Sequence, residues 1–168
     1  MLFKKLCPIE YHSSAYSIDY DALYEKGYRG IIFDIDNTLV PHDAPADERS
    51  VTLCDRLKSA GFRVLFLSNN EEPRVKMFND EAKCLYVFKA GKPLKRGYEE
   101  AMRLMGTDTE TTFAVGDQLL TDIWGANNAG ILSVLVEPID LREPFHIRLK
   151  RILERIVFKI FHLEEKKT

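Results

Sequence analysis

Asp34 and Asp36 stand one residue apart at the end of the apolar run 31–33. Two like charges held this close together are unfavourable unless a cation or a reaction uses them. The spacing suits one carboxylate that attacks an electrophile and a second that moves protons. Thr38 adds a hydroxyl group two residues after the second acid.

A second acidic pair, Asp117 and Asp122, begins directly after the apolar run 112–115 and its glycine. Between the two pairs, Ser68 ends another apolar run and Lys92 follows a third. Taken singly, such a serine is more often a helix cap and such a lysine more often a solvated cation. Their order between two acidic pairs is what indicates a functional role.

The segments around these residues alternate between two patterns. Apolar runs rich in Ile, Val, Leu and Phe, without strict alternation, are typical of strands covered on both faces. This alternation with helical segments predicts an α/β fold with a Rossmann-like, five-stranded parallel sheet and helices on both faces. The predicted strands are 30–34, 63–68, 85–88, 112–115 and 132–136, and the predicted helices are 47–60, 72–79, 95–105 and 119–128.

The carboxyl ends of parallel strands meet at one edge of a sheet, where open α/β sheets bind ligands. We therefore expect Asp34, Ser68, Lys92 and Asp117 to lie together. The gaps between the motifs, of about two to three dozen residues, hold one helix each and leave no room for an inserted cap domain. The sequence thus predicts one domain over 1–168 with an open, capless site.

The motifs DxDxT, Ser, Lys and GDxxxxD, in this order over residues 30–136, resemble the haloacid dehalogenase (HAD) superfamily of Mg-dependent phosphotransferases. The short core and the GDQxxTD form of the last motif look like the YqeG-like branch of its subfamily IIIA. Relatives of that branch include the mitochondrial phosphatidylglycerophosphate phosphatases. The resemblance implies a HAD-like phosphatase that converts phosphatidylglycerophosphate to phosphatidylglycerol at a membrane surface.

The resemblance also implies roles for the motif residues. Asp34 would attack phosphorus, Asp36 would act as acid and base, and Lys92 would neutralise charge on the transferring phosphoryl group. Ser68 would donate to a phosphoryl oxygen, and Asn69 would contact the substrate or orient Asp36. Thr38 would belong to the substrate-binding residues, brace the loop and help to position Asp36.

A metal site follows from the same resemblance. Mg²⁺ would be held by Asp34, the backbone carbonyl of Asp36 and Asp117, with Asp122 acting through water. An oxygen-liganded, hard divalent ion suits this set and relieves the repulsion among the acids.

Bulk properties exclude several classes of protein. The formal net charge of -2 gives no general attraction to nucleic acid, and we expect no specific nucleic-acid partner. No apolar stretch approaches the ~20 residues of a membrane span. The cysteines at positions 7, 54 and 84 lack metal-ligand spacing and indicate reduced thiols in a cytoplasmic protein.

The segment 142–168 forms a basic tail, with eight Lys/Arg against four Asp/Glu. Residues 145–161 show helical spacing of apolar residues, so we predict an amphipathic helix. Such a helix can lie on an anionic membrane, which would place the protein peripherally on its inner face. On composition alone, packing on the sheet or against another subunit is the simpler interpretation.

Three alternative functions stay open from the sequence. The first is a phosphatase of a soluble sugar or nucleotide phosphate. The second is a phosphatase of a phosphoprotein or a nucleic-acid end, although no basic path with interleaved aromatic residues surrounds the motifs. The third is a non-catalytic interaction module that binds its partner through the tail.

Overall fold

The fold is built on a six-stranded parallel sheet with the order β1-β6-β5-β2-β3-β4. The computed structural model describes residues 5–140, 142 and 145–161. The predicted parallel α/β sheet is confirmed, but the prediction of five strands is wrong. The strands are β1 Glu10–His12, β2 Gly30–Phe33, β3 Arg63–Leu67, β4 Leu85–Val87, β5 Thr112–Gly116 and β6 Leu132–Val136.

The additional strand is β1, a three-residue edge strand that pairs with β6. Only Tyr11 of this strand is buried, and its neighbours are half-exposed polar residues. A single buried residue provides no periodic pattern, so the sequence does not reveal a strand this short.

Helices connect the strands. They are α1 Tyr20–Glu25, α2 Glu48–Ser59, α3 Glu72–Ala82, α4 Lys95–Met105, α5 Trp124–Ala129 and α6 Phe145–Phe161. The helix predicted over 119–128 is instead a π-helical turn, Leu119–Ile123, followed by α5. In this turn, Ile123 N–H donates to the Gln118 carbonyl five residues back (3.2 Å), which widens the backbone within the last acidic motif, at Asp122.

Both faces of the sheet are buried. On β2, Ile31 and Phe33 belong to the hydrophobic cluster beneath α1, α2 and α3, whereas Ile32 belongs to the cluster beneath α4 and α5. Consecutive strand residues therefore enter opposite layers, which explains why the strand sequences are apolar without alternation.

The segment after β2 leads only through α2 to β3, and the segment after β3 leads only through α3 to β4. No cap domain is inserted among these residues. The carboxyl edge of the sheet is thus free of an inserted cover.

Helix α6 packs beside the edge formed by β1 and β6. Val157 joins a small hydrophobic cluster with Leu135 and Tyr11, and the rings of Tyr11 and Phe158 lie 5.7 Å apart edge to face. Within the described part of the chain, the structure has no helix of the length and apolarity that a membrane crossing requires.

Candidate active site

Asp34 leaves β2 at the carboxyl edge of the sheet, and its backbone N–H donates to the Val115 carbonyl of β5 (3.0 Å). A tight turn follows, in which Asn37 takes a left-handed conformation (φ 63°). Asparagine tolerates this conformation better than most residues do. The turn keeps Asp36 at the same edge, where both carboxylates line one cavity.

Lys92 joins two of the motifs through its buried ammonium group. It donates to Asp34 Oδ1 and to Asp122 Oδ1, at 2.6 Å in each case. Burial alone would lower the pKa of Lys92, but the carboxylates of Asp122 and Asp34 outweigh this effect and raise the pKa. The lysine is therefore a permanent cation beside the candidate nucleophile.

Asn69 lies against the backbone of the loop that carries Lys92. Its side-chain amide donates to the Lys92 carbonyl (3.1 Å) and accepts from the Lys92 N–H (2.7 Å). Ser68 lines the cavity with Asp34, and its hydroxyl accepts from the N–H of Asn70 (3.1 Å). Ser68 and Asn69 thus both line the site cavity, and Asn69 also holds the backbone of the loop that carries Lys92.

Three buried carboxylates, from Asp34, Asp117 and Asp122, bring oxygen atoms within 4.8 Å of one another. Burial raises the pKa of Asp34 well above its usual range, and it raises the pKa of Asp117 to about 7. The nearby charge of Asp122 adds to both shifts. A divalent cation with oxygen ligands would relieve this crowding, so the donor set fits Mg²⁺ chemically.

Gly116 makes the position of Asp122 possible. A Cβ atom at Gly116 would lie 2.4 Å from the Cβ of Asp122, closer than side chains approach. The Asp122 carbonyl accepts from the buried hydroxyl of Tyr98 (2.9 Å), and its Oδ2 accepts from the backbone N–H of Gln118 (3.1 Å). The wide π-helical turn and the glycine together aim this carboxylate at Lys92.

Asp117 is completely buried and receives hydrogen bonds on both carboxylate oxygens. Thr38 donates its hydroxyl to Asp117 Oδ1 (3.1 Å), so the structure places Thr38 on a predicted metal ligand. Arg151 of α6 donates to Asp117 Oδ2 and to the Asp117 carbonyl (2.7 Å). Each carboxylate oxygen has two lone pairs, so these bonds leave room for a metal ion.

The carboxylate of Asp36 lies outside the cluster of three carboxylates. Its Oδ1 accepts from Arg74 Nη2 and from the backbone N–H of Asp43, both at 2.8 Å. Its Oδ2 accepts from the side-chain amide of Asn70 at 2.7 Å. His42 Nδ1 lies 3.9 Å from Oδ1. These donors fix the orientation of a group that the sequence assigns to proton transfer.

The site cavity has a volume of about 390 Å³ and is bordered on one side by Ile147 and Lys150 of α6. Lys150 has no ion-pair partner among the residues that the structure describes. The sequence did not single out Lys150, Arg151, Arg74 or Asn70 as site residues. Lys150 and Arg151 are two of the many basic residues of the tail, and nothing in the sequence distinguishes them from the others. Arg74 and Asn70 belong to no recognisable motif.

Comparison with known proteins identifies the family of this chain. A family model described as HAD-hydrolase-like matches residues 89–138. The chain is 37% identical to the probable phosphatase YqeG of Bacillus subtilis over 92% of its own length and 91% of that protein. This chain belongs to the haloacid dehalogenase (HAD) family of phosphatases. The predicted HAD membership and the prediction of an enzyme are confirmed.

More distant HAD relatives share parts of the chain. The phosphatidylglycerophosphate phosphatase 1 of Arabidopsis thaliana is 30% identical over 84% of this chain, which spans 44% of that protein. Among solved structures, the deoxy-D-mannose-octulosonate 8-phosphate phosphatase of Haemophilus influenzae superposes with a TM-score of 0.56 at 16% identity. This match covers 80% of this chain and 89% of that chain, and it shows a shared fold.

Proposed function

We propose that this HAD phosphatase is an Mg²⁺-dependent phosphomonoester hydrolase that forms an aspartyl-phosphate on Asp34, within one phosphatase domain spanning 1–168. The observation that carries the proposal is the contact of Lys92 with both Asp34 and Asp122, 2.6 Å each, within a cluster of three buried carboxylates. A nucleophile beside a fixed cation and a set of oxygen ligands is the arrangement that phosphoryl transfer requires.

In the first step, a carboxylate oxygen of Asp34 attacks phosphorus and the bond from phosphorus to the ester oxygen breaks. Asp36 donates a proton to that leaving oxygen. In the second step, water attacks the phosphorus of the aspartyl-phosphate and gives its proton to Asp36. The bond to Asp34 breaks and inorganic phosphate leaves, which restores the Asp34 carboxylate and the carboxylic acid form of Asp36 with which the first step began.

The surrounding groups hold charge and geometry during these steps. Lys92 balances the charge of Asp34 and of the phosphoryl oxygens, and Ser68 donates its hydroxyl to one of these oxygens. Mg²⁺ would be held by Asp34, the Asp36 carbonyl and Asp117, with Asp122 acting through water. The bound ion would supply positive charge to the phosphoryl oxygens.

The proposed substrate is phosphatidylglycerophosphate, which the enzyme reaches at the surface of an anionic membrane on its cytoplasmic side. The Arabidopsis and Chlamydomonas reinhardtii relatives named as phosphatidylglycerophosphate phosphatases support this substrate. The capless cavity suits a phosphate that is carried on a large group. Lys150 at the cavity wall offers a cation to the second, diester phosphate of this lipid.

The experiment is phosphate release from phosphatidylglycerophosphate in mixed micelles with Mg²⁺, compared with a panel of soluble phosphate esters. Asp34→Asn is the blank, and Asp80→Asn, the same change at an exposed position of α3, is the matched control. We expect lipid hydrolysis that Asp34→Asn abolishes and Asp80→Asn retains. Release from soluble esters alone would refute the lipid substrate and keep the chemistry. Release from no substrate by folded, Mg²⁺-loaded protein would refute both the lipid and the soluble-ester substrates.

A further inference from the structure

Helix α6 carries a row of large apolar side chains that point away from the protein. Six large apolar side chains, here called the outer face, are each at least 52% exposed: Phe145, Leu149, Ile152, Leu153, Ile156 and Ile160. At about 100° per residue they fall on one side of the helix. Contiguous apolar surface of this kind on a protein marks an interaction site.

The opposite side of α6 is anchored to the core. Ile147 and Val157 are buried, and Glu154 is 2% exposed while it accepts from the backbone N–H of Leu120 (3.2 Å). Arg151 completes this side through its bonds to Asp117. The helix therefore holds a fixed orientation, and the exposure of its outer face follows from that orientation.

A row of cations runs beside the outer face. Arg148, Arg155 and Lys159, here called the basic flank, lie seven and four residues apart and so share one side of the helix. None of them has an ion-pair partner within the described segments. The single acid of α6 is Glu154, which lies on the anchored side.

Arg148 and Arg155 of the basic flank border a cavity of about 820 Å³ between α6 and the sheet edge. Four arginines line it, and Tyr11, Val136 and Phe158 supply apolar walls; the arginines are Arg142, Arg148, Arg151 and Arg155. Since Arg151 is already bound to Asp117 and Glu154, the positive charge of Arg148 and Arg155 is available to an anionic group. A lipid phosphate with adjoining hydrocarbon has this combination of charge and apolar surface.

We infer that the outer face of α6 inserts into an anionic lipid bilayer while the basic flank binds the lipid phosphates. An apolar face bordered by Lys and Arg is the pattern of helices that lie in a membrane interface. Because Ile147 and Lys150 of the same helix border the site cavity, docking brings that cavity to within about one helix diameter, ~10 Å, of the lipid surface. The role of this docking, to bring the active site to its lipid substrate, rests on the proposed lipid phosphatase function.

A second copy of the chain is the other occupant that an apolar face can attract. Two α6 helices packed face to face and antiparallel would place their basic flanks on the same side of the contact, without a carboxylate from either helix to pair with them. An anionic bilayer instead supplies the opposite charge over the whole helix. Charge complementarity therefore favours the bilayer.

Vesicle binding tests the inference without any catalytic turnover. A failure of membrane binding can therefore be told apart from a failure of the proposed reaction. The full chain is sedimented with sucrose-loaded vesicles of phosphatidylcholine, alone or mixed with phosphatidylserine, an anionic lipid that is neither the proposed substrate nor its product. The variant Ile152→Ser/Ile156→Ser removes part of the outer face. The control Met77→Ser/Leu104→Ser removes two apolar side chains that are exposed on α3 and α4.

We expect the full chain to bind the anionic vesicles. The affinity of Ile152→Ser/Ile156→Ser for these vesicles should be lower by about tenfold or more, and that of the control should be unchanged. Arg148→Glu/Arg155→Glu should lose binding similarly, whereas Lys76→Glu/Arg96→Glu, the same charge change on α3 and α4, should retain it. Circular dichroism checks that each variant is folded. Equal binding by the outer-face variant, or vesicle-independent dimers that this variant abolishes, would overturn the inference.

Discussion

Arg151 of α6 donates both to the backbone carbonyl and to the carboxylate of Asp117, so the C-terminal helix is bonded directly to a predicted metal ligand. The guanidinium lowers the pKa of Asp117, against a larger effect of burial that raises it to about 7. When no metal ion is bound, the positive charge of Arg151 therefore partly balances the negative charge of the three carboxylates.

Replacing Arg151 by Met should destabilise the metal-free protein strongly. The change leaves Asp117 and Glu154 buried without their cation, and breaking a buried ion pair costs about 3–5 kcal/mol of the free energy of unfolding. Saturating Mg²⁺ should recover part of this loss, because the ion brings positive charge to the same carboxylate. Urea unfolding in EDTA and in Mg²⁺ measures both values.

Arg142→Met is the matched control for that variant. Arg142 is largely exposed where it pairs with Asp140, so we expect a loss of unfolding free energy far smaller than that of Arg151→Met. Equal destabilisation of Arg151→Met in EDTA and in Mg²⁺ would contradict the idea that Arg151 and the ion act on one carboxylate.

The carboxyl group of Asp117 should make the stability of the metal-free protein depend on pH. Its pKa rises from an ordinary value of 3.8 to about 7 on folding. The folded state therefore holds this proton more tightly than the unfolded state does. The contribution of Asp117 to the free energy of unfolding is then greatest below about pH 4, falls as the pH rises to about 7, and stays low above it.

Urea unfolding in EDTA between pH 4 and pH 8 tests this dependence against Asp117→Asn, which cannot ionise. The free energy of unfolding of Asp117→Asn should increase relative to that of the unchanged chain as the pH rises through this range. A constant difference between the two proteins would show that Asp117 keeps its ordinary pKa.

Asn69→Ala should lower kcat about tenfold while KM changes little. The substitution removes both hydrogen bonds between the Asn69 amide and the backbone of Lys92, so the ammonium group loses its fixed position beside Asp34. Steady-state kinetics on one soluble ester measures the split. A raised KM at constant kcat would instead show that Asn69 contacts the substrate.

Lys150→Met should raise KM for phosphatidylglycerophosphate about tenfold, because a charged hydrogen bond contributes ~1.5 kcal/mol or more. The KM for p-nitrophenyl phosphate, which has no second phosphate, should stay unchanged. Lys76→Met on α3 controls for loss of one exposed cation. A parallel rise for both substrates would place Lys150 in general phosphate binding rather than in recognition of the diester.

The sequence predicts the strands that carry the site because their apolar runs are long and covered on both faces. Asp34, Ser68, Lys92 and Asp117 therefore come together as expected from strand ends alone. Most predicted helix and strand bounds agree with the observed bounds within three residues for the same reason. The edge strand β1 and the π-helical turn were missed because neither has a periodic pattern of its own.

The partners of the site residues could not be predicted in the same way. Arg74 reaches Asp36 from 38 positions away, and Arg151 reaches Asp117 from 34 positions away. Such pairs depend on how a helix is rotated against the sheet, which amphipathic spacing leaves undetermined. The spacing of α6 predicted an apolar side, but the structure was needed to show that this side faces outward.

The bond from the Leu120 backbone to Glu154 makes α6 a structural part of the loop that carries Asp117 and Asp122. Helix α6 is therefore not a detachable appendage. A truncated protein that ends before residue 145 would lose the inferred lipid-binding face and the support of its carboxylates together, and an inactive truncation would say nothing about membranes. Point substitutions on the outer face are the changes that separate anchoring from chemistry.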